Sequence, residues 1–197
     1  MMTRPRFTFL VLLLLLSGCN IFQTRTPQPP QQGRSDFIPP TSPNIVVQNL
    51  QNAISDRNVI NYAACFSDPA SGGRNFSFIP SPRAAGQYQS IFQGWSVTQE
   101  QSYFNNLISQ SSTSSSSALI LSSVQLVPYT DSAYYSANYT LLWPNKVASN
   151  LQQVEGNLQF YIGVNPSGSW SIYRWVDSGT SDTVKTWSDL KAQFSTQ

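Results

Sequence analysis

The sequence predicts an α+β domain, with N-terminal helices packed on one face of a curved antiparallel sheet of three to five strands and a short C-terminal helix. Three observations carry this. Apolar residues recur at helical spacing from Val46 to Ile108. The period changes to two at Ala118 and stays there to Val176. Clusters of Pro, Gly, Asn and Ser cut the second half into segments joined by turns, as antiparallel neighbours require.

The first helix opens at Ser42-Pro43. Serine is a good cap, and proline suits the first helical position because its missing N–H has no helical partner there. Val46, Val47, Leu50, Ala53 and Ile54 form its apolar stripe. Asp56-Arg57-Asn58 interrupts, and Asn58 caps a second short helix with Val59, Tyr62, Ala63 and Phe66 on one side. Asp68-Pro69 and Gly72-Gly73 end it. Residues 75–79 read as a short strand with Phe76 and Phe78 on one face, and residues 83–94 show no clear period. A third helix begins near Thr98, with Gln101 completing a capping box and Tyr103, Phe104, Leu107 and Ile108 as its buried stripe. Residues 109–117 are almost all serine and read as a mobile, solvated loop.

Residues 119–127 form the next strand, and 128–132 turn the chain. The clearest strand covers 133–143. Ala133, Tyr135, Ala137, Tyr139, Leu141 and Trp143 share one face, while Ser136, Asn138 and Thr140 lie on the other. Val154, Leu158, Phe160, Ile162 and Val164 mark a second long strand, with Gly156 at a bulge or bend. Residues 165–168 are a hairpin turn, and 170–176 the last strand. Thr186 then caps a helix with Trp187, Leu190 and Phe194 on one face.

Ahead of the domain, Arg4 and Arg6 precede a ten-residue apolar run that ends in Leu16-Ser17-Gly18-Cys19. The run falls short of the about 20 residues a spanning helix needs, and the whole reads as an export signal over residues 1–18. The last four residues resemble the lipobox of bacterial lipoproteins. That resemblance implies that Cys19 becomes the first mature residue and carries lipid, so the membrane is a partner through Cys19. Asn20 rather than Asp follows it, which implies the outer membrane, facing the periplasm or the surface. Residues 19–42 comprise this cysteine and a Pro/Gln-rich linker that cannot bury enough apolar surface to fold. Extended as polyproline II, its reach is roughly 70 Å. The domain is expected to occupy residues 43–197.

Composition narrows the function. The chain has eleven Lys and Arg, nine Asp and Glu, and no histidine. Losing Arg4 and Arg6 with the signal leaves the mature chain formally neutral. No basic patch argues for nucleic acid. Without histidine no Ser-His-acid triad can be built, and the commonest metal ligand is missing. No calcium loop and no phosphate loop are present. No catalytic residue, metal or cofactor is therefore expected. With Cys19 lipidated, Cys65 is alone, and its apolar neighbours Ala64 and Phe66 make it an inert buried thiol. Among the acids, Glu155 reads as solvated, Asp131 as capping its own turn, and Asp177 as making a salt bridge or turn contact at a strand end. Asp56 and Asp68 sit at helix ends.

The segments Asn44-Ile45-Val46-Val47-Gln48-Asn49-Leu50-Gln51-Asn52-Ala53-Ile54, Tyr62-Ala63-Ala64-Cys65-Phe66 and Gly168-Ser169-Trp170-Ser171-Ile172 resemble the nuclear transport factor 2-like superfamily. The resemblance covers most of residues 43–177. It implies a cone, a bent sheet wrapped around N-terminal helices. It implies a hydrophobic mouth as well, and Tyr62, Tyr139 and Trp175 are the candidates to line a pocket for a small apolar or aromatic ligand. The alternative is that all three are packing residues. Two functions follow as expectations. One is a membrane-anchored, non-catalytic cell-envelope binding or assembly module, whose partner is an envelope protein or a small apolar ligand. The other is an isomerase or dehydratase of small substrates, as some members of that superfamily are. The discriminating feature is an ionisable residue inside the cone, and the strands offer few.

Overall fold

Pro43 starts the first helix where expected. In the computed structural model, which describes residues 37–195, α1 spans Pro43–Ser55 and buries Val46, Val47, Leu50, Ala53 and Ile54. The signal segment, Cys19 and most of the linker lie outside the described residues. Helix α2 (Val59–Ala64) is capped by Asn58, whose side chain accepts from the Asn61 N–H. Residues 82–92, without a readable period, form two short helices, α3 (Pro82–Gln87) and α4 (Gln89–Phe92). Helix α5 (Val97–Ser109) begins one residue before the expected start. Its capping box joins Ser96 to Gln99, not Gln101.

Five strands form one sheet in the order β1-β5-β4-β3-β2. Strands β2 (Ala118–Pro128), β3 (Ser132–Leu142), β4 (Gln153–Val164) and β5 (Trp170–Ser178) make the expected antiparallel meander. The short β1 (Ser77–Ile79) departs from expectation. It runs parallel to β5, with Phe78 opposite Trp175. A parallel neighbour needs a long connection, and here helices α3 to α5 and strands β2 to β4 intervene. Register sets the core face. Tyr135, Ala137, Tyr139 and Leu141 of β3 stand opposite Phe160, Leu158, Gly156 and Val154 of β4. Register shifts in β2 between Ser122 and Gln125, and in the β4–β5 pair at Tyr161 and Ile162, bend the sheet. Ser123 has φ 52°, in the left-handed region. Helices α1, α2 and α5 fill the concave face, and α6 (Trp187–Phe194) packs against α5 and β4.

Gly156 is neither bulge nor bend. It keeps regular register with Tyr139, and its missing side chain makes room. A Cβ there would stand 2.9 Å from the Tyr139 hydroxyl and collide with the Ser178 carbonyl.

Two loops are tied more firmly than their composition suggests. Arg57 donates to the carbonyls of Ser112 and Ser115, each at 2.6 Å, and to the Ser117 hydroxyl at 3.0 Å. Ser111 and Ser117 are buried. The serine-rich segment is thus held on both sides of its exposed tip, residues 113–116. Asp131 does not cap its own turn. It pairs with Arg74 at 3.0 Å and accepts from the Ser132 hydroxyl.

The folded unit also begins before residue 43. Asn49, buried in α1, accepts from the Ile38 N–H at 2.9 Å and donates to the Ile38 carbonyl at 2.6 Å, and the Pro40 carbonyl accepts from Trp170. A chain starting at residue 42 leaves both ends of the Asn49 amide without these partners. An unsatisfied buried polar group costs about 1–3 kcal/mol. Urea unfolding of a chain starting at residue 42 is expected to show that loss against one starting at residue 35. Equal midpoints would mean that residues 37–41 contribute nothing. Among the described residues no helix is long and apolar enough to cross a membrane.

Candidate functional site: buried charges inside the cone

Seven of the eight residues of α6 are buried, all but Gln193. A helix buried nearly all round lies inside a core, not on its surface. The sequence led us to expect one buried face. The structure instead puts the helix into the space between the sheet and α5, and it brings charge with it.

Lys191 and Glu100 form an ion pair with both side chains fully buried. The Glu100 carboxylate also accepts from the Tyr62 hydroxyl at 2.9 Å and the Trp95 indole N–H at 2.8 Å. Around the Lys191 ammonium stand aromatic rings. The Trp175 and Phe78 centroids are 3.8 and 3.9 Å away, with Trp95 at 5.5 Å and Tyr103 at 5.6 Å. Aromatic faces attract a desolvated cation through their quadrupole. Even so, burial dominates, and it lowers the Lys191 pKa to about 8 against the attraction of Glu100.

The second cluster gathers at the start of α6. Asp177, at the end of β5, accepts from the Tyr139 hydroxyl at 2.7 Å, from the Ser188 N–H at 2.8 Å and from the Ser188 hydroxyl. The Tyr139 hydroxyl in turn accepts from the Trp187 N–H at 2.7 Å. The carboxylate therefore serves the unpaired donors at a helix N-terminus. It is neither a salt bridge nor a turn contact of its own strand, as expected from sequence. Burial raises its pKa, and the hydrogen bonds partly offset that. Asp189 completes the capping box with Thr186 and pairs with Arg83 of α3.

The three residues expected to line a pocket are brought near one another, but around α6 and not around open space. Tyr62 and Trp175 have no exposed surface, and Tyr139 is 2% exposed. Both tyrosine hydroxyls are committed to carboxylates. Trp175 packs edge-on against Trp187, with centroids 4.6 Å apart. The expectation that the interior carries few charges is corrected: Glu100, Asp177, Asp189 and Lys191 are all inside. Two of these had a legible signal. Glu100 falls on the stripe of Tyr103, Phe104 and Leu107, and Lys191 on that of Trp187, Leu190 and Phe194. Each sits at positions that face inward with its neighbours.

Chemically, the arrangement closes ionisable groups against each other. Cys65 is buried, its thiol donates to the Asn61 carbonyl at 3.3 Å, and desolvation pushes its pKa far up, so it is not a reactive thiolate. Among the described residues no cluster of three or more His, Cys, Asp or Glu stands close enough to hold a metal.

The shifts give a pH dependence with a definite sign. Lys191 ionises near 8 in the fold and near 10.5 unfolded. Between those values the unfolded chain binds more protons, so its contribution to stability rises with pH. Tyr62, Tyr103 and Tyr139 are raised well above 10, chiefly by burial. Their contribution is present below 10 and is lost as pH rises through their folded values. The urea midpoint is expected to climb from pH 8 to 10 and fall above it. A midpoint unchanged from pH 8 to 10 would contradict the buried amine.

No protein-family model matches the chain, and no curated protein matches it either. Solved structures do. A nuclear transport factor 2-like protein from Streptomyces avermitilis, described as a candidate dehydratase, aligns at 11% identity over 70% of this chain and 93% of its own, with TM-score 0.52. A protein of the same superfamily from Salmonella enterica serovar Typhimurium aligns at 14% identity over 70% of this chain and 88% of its own, also with TM-score 0.52. A third, of unknown function, from Pseudomonas putida KT2440 aligns at 12% identity over 68% and 82%, with TM-score 0.50. At these identities the likeness is one of fold. The chain has the nuclear transport factor 2-like fold, as the sequence resemblance implied.

Proposed function

We propose that this protein is a cell-envelope binding or assembly module, tethered to the membrane by lipid on Cys19, whose cone works as a rigid, non-catalytic body through its surface. The observation that carries this is the α6 helix inside the cone. With Lys191 neutralised by Glu100, and Tyr62 and Tyr139 bonded to carboxylates, the groups that a cone enzyme would turn toward substrate hold the helix instead. The dehydratase or isomerase alternative needs Asp177 or Glu100 to meet a substrate, and α6 stands in that place. The pocket proposed at Tyr62, Tyr139 and Trp175 for a small apolar ligand meets the same obstacle. The surface is then left to meet partners, and the lipid and linker keep it near the membrane; Asn20, in place of Asp after the cysteine, supports the outer membrane.

Two measurements test this. Cys19→Ala is expected to leave an unprocessed or soluble precursor on cell fractionation. A processed Cys19→Ala species still sedimenting with membranes would overturn the anchor. The folded chain is expected to bind no anilinonaphthalene sulfonate, a dye that reports apolar cavities. Native-state binding abolished by Tyr139→Phe would restore the internal pocket.

A further inference from the structure

We infer that the polar cleft between α2, the N-terminal half of α5 and the β4–β5 hairpin is a binding site for a neutral sugar unit. The inference rests on the surface-binding reading above and names a ligand class for that surface. The cleft has a volume of about 390 Å³, inside the range of about 300–1,000 Å³ usual for small-molecule sites.

Its polar groups are of two kinds. One set is fixed. The Asn165 side-chain oxygen Oδ1 accepts from the Ser167 N–H at 3.1 Å and from the Ser169 N–H at 2.9 Å, and its side-chain amide donates to the Ser71 carbonyl at 3.3 Å. Asp68 uses one carboxylate oxygen to accept from the Ala70 N–H at 2.9 Å. Backbone bonds lock the wall further. Ser67 donates to the Ile172 carbonyl, and Ile172 donates to the Cys65 carbonyl. The other set faces the cleft uncommitted. Neither the Gln101 amide nor the hydroxyls of Ser169 and Ser171 bond to any described residue, although all three line the space. The walls are fixed by these bonds, so the cleft keeps its shape, and the free donors and acceptors of Gln101, Ser169 and Ser171 are ordered only when a ligand meets them.

The chemistry of the lining selects the ligand. Hydroxyls, an amide and the second oxygen of Asp68 can each take one hydroxyl of a polyol as donor or acceptor. Ala63, Ala64 and Val97 supply a small apolar wall for the C–H face of a sugar ring, with the buried Phe66 behind them. Asp68 is the only charged residue among the lining residues, so an anion is repelled there. Arg74, nearby in sequence, is held by Asp131 and stacked on Tyr173 with its guanidinium 4.6 Å from the ring centre.

The test is a nuclear magnetic resonance titration of the full-length chain in detergent, with glucose, N-acetylglucosamine and glucuronate as probes. At least one of the two neutral sugars is expected to shift Gln101, Ser169 and Ser171 in a saturable way. Glucuronate is expected to bind about tenfold more weakly, a difference of the size one unfavourable charge contact makes. Ser171→Ala and Gln101→Ala are expected to weaken the neutral sugar several-fold with the unfolding midpoint unchanged. Asp68→Asn keeps the oxygen that caps Ala70 and is expected to close the gap between glucuronate and glucose. Shifts confined to other surfaces, equal binding of all three probes by the wild type, or no saturable shift with any of them would overturn the inference. In those cases a chain still processed at Cys19 and free of bound dye leaves the anchored-module reading standing.

Discussion

Lys191→Ala is expected to lower the unfolding free energy by about 3–5 kcal/mol, the usual cost of breaking a buried ion pair from one side. The loss is not the value of the pair. Glu100 has no exposed surface, and without Lys191 its carboxylate keeps only the Tyr62 and Trp95 donors against its desolvation. The aromatic rings of Phe78 and Trp175 would also lose the cation they surround. A second variant separates these effects. Lys191→Met combined with Glu100→Gln removes both charges and keeps most of the volume. Replacing a buried pair by neutral groups is often neutral or stabilising, so the double variant is expected to recover most of the loss. The coupling between the two sites, measured by a double-mutant cycle in urea, is expected to exceed 1 kcal/mol, since direct contacts couple by about 0.5–3 kcal/mol. Additive effects would mean that the two charges do not sense each other.

Ending the chain at Ser178 is expected to abolish cooperative folding. Trp187, Leu190 and Phe194 are buried to 1% exposure or less. Each contributes about 1.5–3 kcal/mol by burial, so the three supply about 5–9 kcal/mol, against a total stability of about 5–15 kcal/mol for a domain. The truncation also takes partners from three buried groups: Asp177 loses Ser188, Tyr139 loses the Trp187 N–H and Glu100 loses Lys191. The expected product binds anilinonaphthalene sulfonate and shows a broad thermal transition without near-ultraviolet circular dichroism. A sharp transition at the wild-type midpoint would show that α6 is an accessory and that the cone is complete without it. Adding a synthetic peptide of residues 179–197 is expected to restore part of the cooperative transition, because the helix makes its contacts as a unit.

Much of this was legible in the residues. The period-two pattern of Tyr135, Ala137, Tyr139 and Leu141 gave the core face of β3, because alternate side chains of a strand must point to opposite sides. Asn58 and Thr186 announced their helices because capping is a local interaction between a side chain and the next few N–H groups. The candidate site was half visible. Tyr62, Tyr139 and Trp175 do meet in one core, and the hydroxyls do need partners. Glu100 and Lys191 lay on the right stripes, but a charged residue on an apolar stripe reads as an exception until its partner is known. That partner is 91 residues away in sequence.

The sequence by itself determined most of the helices and strands and which of their faces are apolar, because each of these is fixed by neighbours within a few residues. Tertiary structure alone decided three things: that β1 runs parallel to β5, that Gly156 stands aside for Tyr139, and that α6 enters the cone with its lysine. Each depends on what lies across the fold from a residue. An acid, a lysine or a glycine has one local preference and several distant uses, and only the packing of the whole core selects among them.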